Sequence, residues 1–379
     1  MKKIITIILT MILSLGCFTK IYADTTAEEV IKSNGVYELN EMLKQIEIEE
    51  NSYAEDFDLV QTVKDILFYK KTFDLSVIIK VILNTFVKEI CQQGNIMRNL
   101  IFIVCICALT QNLSNSFHSK GISEITFYSC YIVTVMLLIR SFKTASDMTL
   151  QVISQISELL NIYLPVLSAL LVSCGNYTTA SMFQPAAIFM GEVITKFVEK
   201  FVIMFIISTT MLSMINNISP KDMLGKAAKL CKKTVSWGIK SMCVIFSATL
   251  TLNKAVFPAV DGMVNKTAKA AVGAIPVIGD VMEGSVDIVM GWTGLVKNGV
   301  VLGVIIFMLL MCFMPILKLL AMIFIYRFVA AITAPLADKR LISCIEEISD
   351  GCQMLLGVLA GVIFIFIAIS LIGISLVAV

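Results

Sequence analysis

The chain ends in Met354–Val379, 26 consecutive residues without a charged side chain. A helix needs about 20 apolar residues to cross a hydrocarbon core about 30 Å thick. Inside that core only helices and closed barrels satisfy their own backbone hydrogen bonds. A run of this length therefore reads as a membrane-crossing helix, and similar runs recur upstream. Composition agrees, with 58% of residues hydrophobic and 15% charged, against roughly 45–50% and 25% in soluble domains. The expected fold is all-α: a polytopic helical integral membrane protein of about 6–8 spans, preceded by a signal sequence.

At the N-terminus, Lys2 and Lys3 precede the apolar run Ile4–Phe18, and Ile21-Tyr22-Ala23 places a small residue before a cut. That order reads as a signal peptide over residues 1–23; an uncleaved anchor and lipidation at Cys17 are the alternatives. Residues 24–75 then form an exported acidic segment, with 13 acidic residues and 5 lysines between Asp24 and Asp74. Short amphipathic helices at Val36–Leu43 and Phe57–Phe68 are too few to build a large core. They suit a juxtamembrane cap or a partner contact. Because the formal net charge is +2, the remaining chain is basic, which on a membrane protein points to cytoplasmic loops. No arginine-rich stripe with interleaved aromatics occurs, so nucleic acid is not expected.

Residues 76–257 form a first membrane region. Ser76–Ile90 has the spacing of an interfacial helix. Spans are expected at Leu100–Asn112, Ile125–Ile139, Ile162–Ser173 (broken near Pro165), Phe201–Ile215 and Ser236–Val256, and either the charged stretch Phe183–Lys200 crosses as well or one of the others does not. The basic loop 219–235 carries Lys221, Lys226, Lys229, Lys232 and Lys233 against Asp222, and the positive-inside rule places it in the cytoplasm. Residues 258–298 form a glycine-rich connecting segment outside, and residues 299–379 carry the runs Gly299–Leu317, Leu319–Pro335 and Met354–Val379. Arg140 and Lys143 argue against this topology, because it leaves their loop external.

Glu192, Lys196, Glu199 and Lys200 are spaced i, i+4, i+7 and i+8, which puts charges of both signs on one helical face. Charges at membrane depth are expensive and normally face a bundle interior or a water-filled cavity. The stripe is either a polar pathway or ion-pair lock, or an interfacial face whose Glu192–Lys196 pair is solvated. Arg327 lies mid-run, nine residues after Lys318. It must snorkel or pair, with Glu192, Glu199 and Glu158 as candidates. Gly299…Gly303 and Gly357…Gly361 are GxxxG patterns that let helices approach closely in lipid. Pro315 either kinks a helix or, as preferred here, turns a tight hairpin. Pro276 and Gly279 mark a sharp turn inside apolar surroundings.

Enzyme signatures are missing from the sequence. His118 is its only histidine, and it contains neither GxxxxGK[ST] nor GxGxxG after a strand. The 11 cysteines fall mostly inside apolar runs, where cysteine serves as a small apolar residue. Neither catalysis nor a metal or other cofactor is expected, and an energy source would come from a partner.

An ordered series of short motifs follows Asn253: Val260-Asp261-Gly262-Met263, Lys266-Thr267-Ala268-Lys269, Ile275-Pro276-Val277-Ile278-Gly279 and Ser285-Val286-Asp287. It continues through Met314-Pro315-Ile316-Leu317-Lys318, Tyr326-Arg327 and Ala334-Pro335-Leu336-Ala337-Asp338. This series resembles the stage III sporulation protein AE family, polytopic proteins of endospore-forming Firmicutes. The resemblance covers about Asn253–Ala378, and Asn176–Pro185 more loosely. It implies a subunit of the complex formed with stage III proteins AA to AH, in the mother-cell membrane facing the forespore. The implied partners are the other proteins of that set, including the cytoplasmic ATPase (protein AA), and forespore protein Q through the complex. The implied role is the membrane core of a secretion-like channel required for sporulation. The alternative is a self-contained secondary transporter, which would favour an inverted repeat and discontinuous helices. No convincing repeat is visible, but Pro165 and Pro315 in the two halves keep that alternative open.

Overall fold

In a computed structural model of the chain, the described residues are 36–45, 58–68, 75–116, 120–218, 224–241, 244 and 279–375. The expected signal sequence, His118, Lys221, Asp222, Pro276 and most of the expected span Ser236–Val256 lie outside them. The helices are α1 (Val36–Gln45), α2 (Leu59–Phe68), α3 (Leu75–Gln92), α4 (Gly94–Ser116), α5 (Lys120–Ser173) and α6 (Tyr177–Phe197). A π-helical turn, Val198–Ile203, joins α6 to α7 (Met204–Asn216) without a break. The basic helix α8 occupies residues 225–241. Two long helices follow, α9 (Gly279–Thr333) and α10 (Lys339–Ser375).

Among the described residues, four helical stretches are long and apolar enough to cross a membrane: Phe127–Ser173, Tyr177–Asn216, Thr293–Thr333 and Lys339–Ile372. A fifth is added if α3 and α4, bent by 46° at their junction, count as one span. The Thr293–Thr333 stretch has 41 residues and rises about 60 Å at 1.5 Å per residue, twice the thickness of a hydrocarbon core. Three pairs of separately expected spans therefore lie on single continuous helices: 125–139 with 162–173, 183–200 with 201–215, and 299–317 with 319–335. Arg140, Lys143, Lys200 and Lys318 interrupt the hydropathy between those runs but not the helix, since arginine and lysine are good helix formers.

Pro165, Pro185 and Pro315 all lie inside helices. Pro315 turns no hairpin, and α5 is not broken at Pro165. Membrane helices tolerate proline because neighbouring helices and local adjustments satisfy the freed backbone groups.

Specific contacts fix the helix directions. Tyr163 on α5 packs against Phe366 on α10, with ring centroids 6.4 Å apart, and the Arg340 guanidinium sits 3.9 Å over the Phe127 ring. These two helices thus run in parallel. The α6–α7 unit returns antiparallel to α5: Ser168 Oγ donates to the Ala180 carbonyl, and Tyr131 Oη donates to the Met214 carbonyl at 2.6 Å. Gly175 makes the α5–α6 turn with φ 82°, a left-handed conformation that glycine adopts without strain. Gly175 N–H bonds the Val172 carbonyl, and Asn176 N–H bonds that of Leu171, so the carbonyls at the end of α5 are satisfied. Only Ala334–Asp338 separates α9 from α10, which makes them antiparallel neighbours.

The N-terminal helices dock on this bundle. Val36, Leu39, Leu43, Leu59 and Val63 are buried in the same core cluster as the long helices. Asn40 Oδ1 accepts the Leu59 backbone N–H at 2.8 Å, locking α1 to α2. Leu59 fills the space that a side chain at Gly303 would need, since a Cβ there would lie 2.6 Å from Leu59 Cδ1. Gly303 of the first GxxxG pair thus admits a short amphipathic helix, whereas a Cβ on Gly357 of the second meets nothing within 4 Å. Gly351 is crowded from two helices at once, since a Cβ there would sit 2.7 Å from Thr210 Oγ1 and 2.8 Å from the Phe142 ring.

Helix α3 is inside out by the standard of a soluble protein. Thr85 and Glu89 are buried, while Ile82, Leu83 and Val87 are exposed. Phe102, Ile125, Met136, Phe189 and Met204 also point outward. Such an apolar exterior suits contact with lipid.

Candidate functional site

Charged side chains gather where α8, α9 and α10 meet. Lys232 on α8 places Nζ 2.6 Å from Glu347 Oε2 and 3.2 Å from Asp350 Oδ2, both on α10. Asp350 Oδ1 lies 3.7 Å from Arg327 Nη2 on α9. Arg327 Nε donates to Ser349 Oγ and Nη2 donates to Gln353 Oε1 at 3.2 Å. Ser349, fully buried, donates to the Ile323 carbonyl. The Glu347, Asp350 and Gln353 positions follow i, i+3, i+6 spacing, which sets them along one face of α10.

Burial at Lys232 works against its charge, but the bonds to Glu347 and then Asp350 outweigh it, and its pKa is raised above the ordinary value. The network therefore holds a protonated lysine between two carboxylates. It ties the basic segment to the α9–α10 hairpin, joining three parts of the chain that are distant in sequence.

Beside this network lies a pocket of about 380 Å³, lined by Ser213, Asn216 and Asn217 at the end of α7, by Lys229 and Lys232 of α8, and by Lys339, Arg340, Ser343 and Glu347 of α10. Asp338 holds Arg340, one of the lining residues, in place. Its Oδ1 accepts the Arg340 backbone N–H at 2.9 Å, capping α10, and its Oδ2 pairs with the guanidinium at 3.1 Å. Burial pushes the Asp338 pKa up, but the side-chain and backbone bonds to Arg340 prevail and lower it.

The sequence-predicted residues divide between this site and others. Arg327 belongs to the network, paired with Asp350 and not with Glu192, Glu199 or Glu158. No local pattern marks Asp350 as the partner, since it stands in a charged stretch just ahead of the run from Met354. Glu192 and Lys196 form an outward-facing pair at 3.2 Å on α6, with side chains 49% and 67% exposed. Glu199 and Lys200 fall in the π-turn, half-buried and exposed respectively. Lys318 lies on α9 with its carbonyl within 3.5 Å of Gln93 Nε2. Gly299 and Gly361 are buried, and Gly279 opens α9. The sequence also missed Lys297, fully buried on α9 beside Cys174, because its stretch reads as a connecting segment.

Long antiparallel helices with an apolar exterior and charges gathered at one end define an α-helical integral membrane protein. The model of the stage III sporulation protein AE family matches residues 57–376, and the chain belongs to that family of sporulation proteins. Stage III sporulation protein AE of Bacillus subtilis (strain 168) is 27% identical over 305 residues, covering 80% of this chain and 74% of that protein. No solved structure matches. The family match begins near α2, well ahead of the motifs that carry the resemblance from Asn253 onward.

Proposed function

We propose that this protein is a membrane core subunit of a secretion-like channel complex between mother cell and forespore, seated in the mother-cell membrane and required for sporulation. The observation that carries this reading is the family match over residues 57–376, which takes in nearly the whole helical body. The partners on this reading are the other stage III proteins of the same set, including a cytoplasmic ATPase. The helical body is large, the short helices α1 and α2 dock on it, and the basic helix α8 packed on α10 offers a surface for an energising partner. The transporter alternative favours discontinuous helices, whereas Pro165 and Pro315 lie inside continuous ones.

Affinity purification of the full tagged chain from sporulating cells tests the proposal. The expected result is co-purification of the other stage III membrane proteins, together with loss of late forespore gene expression when the chain is deleted. A chain that purifies alone from cells that sporulate normally without it overturns the reading.

A further inference from the structure

The pocket at the ends of α7, α8 and α10 is chemically one-sided. Four cationic side chains line it, Lys229, Lys232, Lys339 and Arg340, against the single carboxylate of Glu347. Lys232 and Arg340 are committed to Glu347, Asp350 and Asp338. Lys229 and Lys339 have no partner among the described residues. Two further polar atoms at the pocket are unpartnered and buried: Ser213 Oγ, on a residue only 4% exposed, and Asn217 Nδ2. Burying a polar atom without a hydrogen bond is unfavourable, so a bound polar group within reach of these atoms would be stabilised by them. Lys229, Lys339, Ser213 and Asn217 line one cavity, and ammonium, amide and hydroxyl donors are the groups that bond a phosphate's oxygens.

The setting indicates where that phosphate comes from. Asn216 follows directly on the apolar run Phe201–Ile215, and the charged stretch Lys339–Asp350 directly precedes the uncharged run from Met354, so the pocket lies at the polar edge of two apolar runs. Its α8 wall presents an exposed apolar line, Leu230 and Trp237 with Val244 beyond it, spaced by seven residues. A basic helix with an exposed apolar stripe and a tryptophan suits the lipid interface. Basic pockets between membrane helices bind anionic headgroups.

We propose that this pocket binds the phosphate headgroup of an anionic phospholipid at the membrane surface. The assignment does not rest on the channel reading, because it concerns only how the bundle sits in lipid.

The test uses the full chain purified in detergent and stripped of lipid, with thermal stability followed as phosphatidylglycerol, phosphatidylcholine or inorganic phosphate is titrated in. Phosphatidylglycerol is expected to raise Tm saturably, whereas phosphatidylcholine is not. Lys229→Gln and Lys339→Gln should each weaken the apparent affinity about 5-fold. Lys226→Gln and Lys240→Gln, exposed basic residues of α8 outside the pocket, should change it much less. Equal shifts with the two lipids in the wild-type chain overturn the proposal, whatever the variants do. An equal loss in the control variants shows diffuse surface attraction and also overturns it. Saturation by inorganic phosphate alone at similar concentration shows a free-anion site in place of a lipid one.

Discussion

Lys232 Nζ and Glu347 Oε2 lie 2.6 Å apart, 115 positions apart in the sequence, and join the basic helix α8 to the start of the last long helix. Both side chains are about three-quarters buried. The pair is thus less screened than a surface ion pair, and removing one partner strands the other charge.

Glu347→Lys is accordingly expected to destabilise the detergent-solubilised protein by on the order of 1–3 kcal/mol, read as a lower Tm. The charge-reversed double variant Lys232→Glu/Glu347→Lys should recover part of that loss. Because the folded pKa of Lys232 is raised above its ordinary 10.5, its contribution is complete below that pH and is lost as pH rises through the folded value. Lys232→Met should therefore flatten the alkaline limb of a Tm–pH curve. An unchanged alkaline limb would show that the pair contributes nothing.

Arg327 uses its fork to reach Ser349, Gln353 and Asp350 together. A lysine is a single point donor and cannot span the same partners. Arg327→Lys should consequently resemble Arg327→Ala in both Tm and sporulation efficiency. Full retention of both by the lysine variant would reduce Arg327 to a snorkelling charge.

The glycines separate by what surrounds them. Gly351→Ala forces a methyl against Thr210 and Phe142 at under 3 Å, and overpacking of this kind costs about 1–3 kcal/mol. Gly357→Ala enters open space and should be neutral or stabilising by up to about 1 kcal/mol, since alanine favours helix. Gly303→Ala meets the flexible end of Leu59, so Leu59→Ala should relieve it. Tm values of the three single variants and the 59/303 double variant decide the ranking. Equal effects at Gly351 and Gly357 would contradict it.

Topology follows from the helix directions. The α6–α7 unit and α9 both run antiparallel to α5, so Asn176 lies at one end of the bundle and Lys226 and Lys339 at the other. Cysteines introduced at 226 and 339 in a cysteine-free background should be labelled from the cytoplasm, and one at the exposed position of Tyr177 from outside. External labelling at 226 would reverse the orientation drawn from the basic loop.

The Glu192–Lys196 pair faces outward between the exposed apolar residues Phe189, Val193 and Phe197. A charge at the centre of a membrane helix costs about 2.5–3.5 kcal/mol by insertion scales, while an exposed i, i+4 pair returns about 0.3–0.5 kcal/mol. The stripe is therefore proposed to face protein or water in the assembled complex. Glu192→Lys should impair assembly and sporulation, and adding Lys196→Glu should restore part of both. Normal assembly by Glu192→Lys alone makes the stripe a solvated surface.

The sequence by itself determined the class of fold, the helical cores of the apolar runs and the family. Hydropathy and helical spacing are local properties, so helices over Val36–Leu43 and Ser76–Ile90, and the run from Met354, were legible from neighbouring residues alone.

 Only the tertiary structure decided the rest. Whether two apolar runs separated by charges make two spans or one long helix depends on what packs beside the charges, as Ser141 and Tyr326 do deep in the bundle. Arg327 could be seen to need a carboxylate, but Asp350 became its partner only when the Ala334–Asp338 turn folded α10 back along α9. Gly351 carries no small-residue spacing that marks it, because the groups that crowd it come from α5 and α7. The pocket likewise draws its cations from α8 and α10 and its unpartnered donors from α7. Pairing across such distances depends on chain path, which local pattern does not encode.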